Sequence, residues 1–209
     1  ETIQRLVAVF SAFGYRHVKP PLIEFEESLL GGVSGAVGNQ TFRLMDPISQ
    51  RMMGIRADIT PQISRIARTR LSKEPRPLRL SYAGEVLRIK GTQLEPSRQL
   101  TQVGAELIGS AAPEADAEVI LMALNAITRI GLKHLSVDLT VPRLVPYLLD
   151  LFEVEGRQRL GLRDCLDRKD KLAVAKLSGK AAATMEILLN ATGPASRALA
   201  LLGDAALPG

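Results

Sequence analysis

The chain has 209 residues, 46% hydrophobic and 4% aromatic, enough to bury the core of one large domain or of one domain with a small appendage. Its formal charge of +5 suits an anionic ligand or an acidic partner, while the absence of tryptophan and the scarcity of aromatic rings argue against a base-stacking nucleic-acid surface. One cysteine, Cys165, and two histidines, His17 and His134, exclude a disulfide framework and a Cys/His zinc site, so a reducing, cytoplasmic setting without metal or cofactor is expected.

Ile3, Leu6, Val7, Phe10 and Phe13 form one apolar stripe, which predicts a helix from Glu1 to Phe13 closed by Gly14, with neither a signal sequence nor a membrane span. His17 to Ile23 reads as extended, and Pro20 and Pro21 confine it to a sheet edge or an interface because they cannot donate ladder hydrogen bonds. The glycine-rich run from Gly31 to Gly38 lacks phosphate-loop spacing and reads as a mobile loop. A strand pair is expected at Thr41 to Met45 and Gln50 to Arg56, turning at Asp46 and Pro47. Thr60 is placed to cap a helix that has Pro61 in its first turn and buries Ile63, Ile66, Ala67 and Leu71. Arg65, Arg68, Arg70, Lys73, Arg76 and Arg79 then crowd a stretch whose only acid is Glu74, a patch for a phosphorylated ligand, nucleic acid or an acidic subunit, or else a solvated helix face.

Two strands follow, Arg79 to Arg88 and Arg98 to Gly109, pairing antiparallel across a polar loop that contains Gly91, Glu95 and Pro96. A helix over Ala117 to Ile130, stopped by Gly131, and a strand at Leu135 to Leu139 complete a first domain, residues 1–139. From 140 to 209 the pattern is helical, punctuated by Gly156, Gly161, Gly179 and Gly193, with Cys165 in a structural role. The beginning inside a helix and the loop-like ending LLGDAALPG suggest part of a longer polypeptide.

In the strand from Arg98 to Gly109, period-two alternation puts Arg98, Leu100, Gln102, Gly104 and Glu106 on one face and Thr101, Val103, Ala105 and Leu107 on the other. The polar row is either a solvated face or the floor of a ligand site. The neighbouring strand divides less cleanly, with Leu80, Tyr82, Gly84, Val86 and Arg88 opposite Ser81 and Glu85. Asp58 and Thr60, two residues apart, set a carboxylate beside a hydroxyl, suited to an ammonium group. Gln102 and Glu106 extend the set toward a cationic or zwitterionic molecule such as an amino acid, and Arg88 and Arg98 complement a carboxylate or phosphate. No nucleophile is paired with a base, and no metal or dinucleotide spacing is present. The constellation is one for binding.

GIRADITP resembles the LRPEGT segment of histidyl-tRNA synthetases, YAGEVLR followed by RQLTQVGAELIG resembles their class II motif 2, and the first helix with VKPPLIE resembles motif 1. The resemblance runs in consistent order from Glu1 to Leu139. It implies an α+β fold, a class II aminoacyl-tRNA synthetase-like antiparallel sheet flanked by helices, here with a C-terminal helical, insertion-like segment. By the same resemblance Pro21 lies at a dimer interface, Asp58, Thr60 and Gln102 surround an amino group, Glu106 faces an imidazole, and Arg88 and Arg98 hold phosphates. Lys90 and Leu100 stand where the family has a glutamate and an adenine-stacking aromatic, a charge reversal and a loss of ~1 to 3 kcal/mol of stacking. Asp58 is one methylene shorter than the family's glutamate. These departures, and RADITPQISRIA, are similar to those of the regulatory subunits of ATP phosphoribosyltransferase. That likeness implies a non-catalytic protein that forms a hetero-oligomer with a short catalytic subunit and mediates histidine feedback inhibition in histidine biosynthesis, with tRNA not a partner. The alternatives are an active histidyl-tRNA synthetase fragment and an amino-acid-binding scaffold for another enzyme.

Overall fold

The computed structural model describes residues 1–31, 38–91, 93 and 96–203. Residues 32–37 of the expected glycine-rich loop from Gly31 to Gly38, part of the 91–97 loop and the ending after 203 lie outside the described residues. The backbone divides into two compact units, Glu1–Ser136 and Val137–Gly209.

The first unit is built on two ten-residue strands, β5 (Leu78–Leu87) and β6 (Gln99–Ile108), which pair antiparallel with Leu80 opposite Glu106 and Gly84 opposite Gln102. β1 (Arg16–His17) adds in parallel on the free edge of β5, giving the order β1-β5-β6. The period-two alternation then decides the layers. Val103, Ala105 and Leu107 face α1 (Thr2–Ala12) and α4 (Pro113–Arg129), packing on Val9, Phe10, Tyr15, Met122 and Ala126. Leu78, Leu80, Tyr82 and Val86 face the segment leading into α3 (Thr60–Arg68) and bury Ile59, Ile63 and Ala67. Leu6, Phe10 and Phe13 of the expected α1 stripe pack in the layer of Val103, Ala105 and Leu107, joined by Val9, while Ile3 is left 40% exposed.

A smaller sheet, order β2-β4-β3, combines β2 (Ile23–Phe25), β3 (Phe42–Met45) and β4 (Met52–Ile55). Asp46 shapes its hairpin by accepting from the amides of Ile48 (3.3 Å) and Ser49 (3.1 Å). Leu29 of α2 (Glu26–Leu30) lies over Gly54 on one face. The register gathers Ile23, Phe25, Phe42, Leu44, Met53 and Ile55 on the other, where none is buried.

Between the two sheets, Pro20 and Pro21 leave the edge of β5 without amide donors, and Arg56 supplies them. Its Nε donates to the Glu85 carbonyl (2.8 Å) and its Nη1 to those of Pro20 (2.9 Å) and Pro21 (3.4 Å). The guanidinium thus gives the Glu85 carbonyl a donor of the kind that proline lacks and ties the proline carbonyls to the same strand.

In the stretch up to residue 139, two expectations fail. Residues 135–139 form no strand. Leu135, Val137 and Leu139 are 39%, 45% and 72% exposed, and among the described residues no strand pairs with them, so alternation alone does not hold them extended. Thr60 does not cap α3 with its side chain; Asp58 and Gln102 take the amides there, as described below.

The second unit is helical: α5 (Leu144–Leu151), α6 (Gly156–Asp167), α7 (Lys171–Leu177), a 3₁₀ turn (Gly179–Ala181), α8 (Ala182–Asn190) and α9 (Ala195–Gly203). Leu149, Leu162, Cys165, Val174 and Met185 form its core, with Cys165 buried and free. Asp170 caps α7 by accepting from the Ala173 amide at 3.0 Å. Gly161 lies inside α6, not between helices. Among the described residues no helix is long and apolar enough to cross a membrane.

Candidate functional site

The structure brings Asp58, Thr60, Gln102 and Glu106 to one side of the β5–β6 ribbon. Gln102 is the hinge of the arrangement. Its Oε1 accepts from the Ile59 amide (2.9 Å) and its Nε2 donates to Asp58 Oδ1 (2.8 Å), which also accepts from the Thr60 amide (3.0 Å). The amides of Ile59 and Thr60, at the start of α3, are therefore satisfied by Gln102 and Asp58, and the Thr60 hydroxyl turns elsewhere. It lies 2.8 Å from the Tyr82 phenol, which in turn donates to Glu106 Oε1 at 3.3 Å.

The polar row is not the open floor that alternation suggested. It shares its face with Leu80, Tyr82 and Val86 and lies partly under α3, and Gly104 is there for space: a Cβ would sit 2.5 Å from the Tyr82 ring. Gly84 likewise makes room for Arg56, whose Nη2 a Cβ would strike. Sequence reasoning missed Tyr82 and Arg56 as site-building residues. The signal was two glycines in mid-strand, where glycine weakens a strand unless another group must approach closely.

Burial raises the Glu106 carboxyl above the usual glutamate range, the hydroxyls of Thr60 and Tyr82 oppose that rise, and the Asp58 charge adds to it. Burial also raises the Tyr82 phenol. Among the described residues, neither Asp58 nor Glu106 enters an ion pair. Two carboxylates side by side without an internal cation can take one from a ligand.

Arg88 and Arg98 face each other beyond the paired ends of the ribbon. The Arg88 amide donates to the Arg98 carbonyl (2.8 Å), Arg98 Nε reaches the Arg88 carbonyl (3.4 Å), and the Arg98 guanidinium lies 4.7 Å from the Phe42 ring centroid. Four residues of strand, about 13 Å, separate them from Gln102. Lys90 is exposed, and Leu100 packs against the core beneath α3.

The basic stretch does not stay together as one patch. Arg65 pairs with Glu24 (2.6 Å), Arg79 makes two 2.7 Å bonds to Glu118, and Arg76 donates to the Ala67 carbonyl (3.0 Å), leaving Arg68, Arg70 and Lys73 exposed. Cavities of about 620 Å³ beside Pro20 and Pro21 and about 510 Å³ between α1 and α4 are not lined by the four clustered residues. Chemistry, not cavity size, marks the site. Among the described residues no group of His, Cys, Asp and Glu could hold a metal ion.

A family model described as histidyl-tRNA synthetase matches residues 1–206. The ATP phosphoribosyltransferase regulatory subunit of Paramagnetospirillum magneticum is 53% identical over 206 residues, 99% of this chain and 54% of that one. The protein of the same name from Rhodospirillum rubrum is 53% identical over 208 residues, 100% of this chain and 54% of that one. A solved structure from Bacillus halodurans C, of an ATP phosphoribosyltransferase regulatory subunit/histidyl-tRNA synthetase, superposes with a TM-score of 0.72 at 28% identity, over 96% of this chain and 54% of that one. The chain spans about half the length of the curated relatives it matches.

Proposed function

We propose that this chain, which belongs to the histidyl-tRNA synthetase family and has its α+β class II fold, serves as the synthetase-like part of a regulatory subunit of ATP phosphoribosyltransferase. The reading makes it a cytoplasmic, non-catalytic protein that activates a short catalytic subunit and conveys feedback inhibition by histidine. One observation carries it: Asp58, Ile59 and Gln102 are joined by hydrogen bonds, while Leu100, which by resemblance stands at the position of the family's adenine-stacking ring, is a half-buried side chain packed against the core. The naming of relatives at 53% identity supports it.

In this reading Asp58, Thr60 and Gln102 receive the ammonium of histidine and Glu106 receives its ring. Arg88 and Arg98 are left for a carboxylate or phosphate at the far end of the ribbon. Residues 1–139 form the synthetase-like domain and 140–209 an insertion-like helical subdomain. Self-association through the Pro20–Pro21 segment builds a dimer within the hetero-oligomer, and no tRNA takes part.

The test uses the full-length protein mixed with the short catalytic subunit. Complex formation, a gain in phosphoribosyl transfer and inhibition by histidine are the expected results, with no histidine-dependent exchange of pyrophosphate into ATP. Such exchange, or charging of tRNA with histidine, overturns the reading in favour of an active synthetase.

A further inference from the structure

The phenol of Tyr82 stands between the two ends of the cradle, and its proton has few places to go. It lies 2.8 Å from Thr60 Oγ1 and 3.3 Å from Glu106 Oε1. Each hydroxyl carries one proton, and an ionised carboxylate only accepts. With Tyr82 donating to Glu106, the Thr60 proton goes to Tyr82 or to Glu106 itself, and both hydroxyl protons are used within the cluster. What Thr60 offers outward is lone pairs. Asp58 Oδ1 is engaged by Gln102 and the Thr60 amide, and the Gln102 oxygen by the Ile59 amide. Apart from the second amide hydrogen of Gln102, the valences left in the cradle are acceptors.

Resting on the amino-acid reading above, we infer that Tyr82 is a positioning residue that fixes the hydrogen-bond polarity of this cradle and so selects a ligand presenting N–H donors at both ends: an ammonium toward Asp58 and Thr60, and a nitrogen ring bearing N–H toward Glu106. The ring of Tyr82 serves a separate, structural purpose. It fills the space that Gly104 leaves and joins the core with Leu80 and Ile59. The hydroxyl can thus be removed while the ring stays.

The titratable groups facing Glu106 are Tyr82 from β5 and Asp58 from the segment before α3, with the Thr60 hydroxyl beside them. Without the phenol, Glu106 loses a donor that favours its charged form and is protonated at a higher pH.

The experiment is calorimetric titration of the full-length protein, in complex with the catalytic subunit, with histidine across a pH series. Tyr82→Phe is expected to weaken binding about tenfold and to move the pH of half-maximal affinity upward, while its thermal unfolding matches the unsubstituted protein. Titration of the ligand itself cancels in the comparison. In a Glu106→Gln background the pH shift is expected to vanish, because Tyr82 acts through that carboxylate. Unchanged affinity and pH profile in Tyr82→Phe overturn the inference, as does an equal weakening in the Glu106→Gln background, which would make the role merely structural. If the unsubstituted complex binds no histidine at all, the amino-acid reading fails first and the inference falls with it.

Discussion

The two ends of the β5–β6 ribbon differ in how deeply their polar groups are tied to the rest of the fold. Between Leu80 and Gly84 the ribbon meets Asp58, Ile59 and Thr60, and each of Tyr82, Gln102 and Glu106 bonds to that segment or to its neighbour. Past Leu87 and Gln99, the hydrogen bonds of Arg88 and Arg98 among the described residues run between the two of them, Arg98 adding a contact with the exposed-side ring of Phe42, and Lys90 is in solvent. Eight residues of strand, about 27 Å, lie between Leu80 and Arg88. A residue built into the core resists exchange because its loss also costs stability, whereas an exposed end can reverse a charge with little effect on folding. The end that carries Gln102 and Glu106 is the protected one.

Four substitutions break or sharpen this contrast. Gly104→Ala should have the largest effect. A Cβ 2.5 Å from the Tyr82 ring forces the ring aside, costing about 1–3 kcal/mol of stability, and in titration calorimetry histidine binding should disappear. Glu106→Gln should weaken histidine binding by more than about tenfold and yet raise stability near neutral pH. Burial raises the folded-state pKa of Glu106, so its contribution is fully present below the unfolded value and is lost as pH rises through the folded one. Denaturant unfolding at two pH values would show the loss in the unsubstituted protein and not in the variant. Arg98→Ala, at the other end, should change histidine affinity by no more than about threefold, since distant sites act independently. Tyr15→Phe, on the opposite face of the sheet, should leave binding untouched. Its phenol is pushed up to about 12, first by burial and then by Glu118. Stability from that shift is complete below pH 10 and lost as pH climbs through about 12, a loss the variant should not show in alkaline unfolding.

Much of this was legible in the sequence where one-dimensional pattern and three-dimensional packing coincide. The alternation in β6 separated Val103, Ala105 and Leu107 from Gln102 and Glu106, and the sheet packs accordingly. The grouping of Asp58, Thr60, Gln102 and Glu106 followed from residue type and resemblance. What the sequence hid was cover and direction. Nothing in GAELIG says that α3 lies over the polar row, nor that Thr60 turns from its own helix to Tyr82, because both go with the Ile59 amide being satisfied by a residue 43 positions away. The strand expected at 135–139 failed for a related reason: alternation describes a face, but a strand exists only with a partner.

Arg56, two residues before Asp58, ties the turn that it leads into to two pieces of chain remote in sequence, the Pro20–Pro21 segment and the edge of β5. Since one planar cation holds all three, they cannot loosen separately. A fluctuation that withdraws the guanidinium opens the proline segment and the ligand-side turn in the same event, so amide protons at Ile59 and Thr60 should exchange with solvent in step with that of Val18, far from them along the chain. The proline edge and the Asp58–Thr60 turn are then expected to share one lifetime.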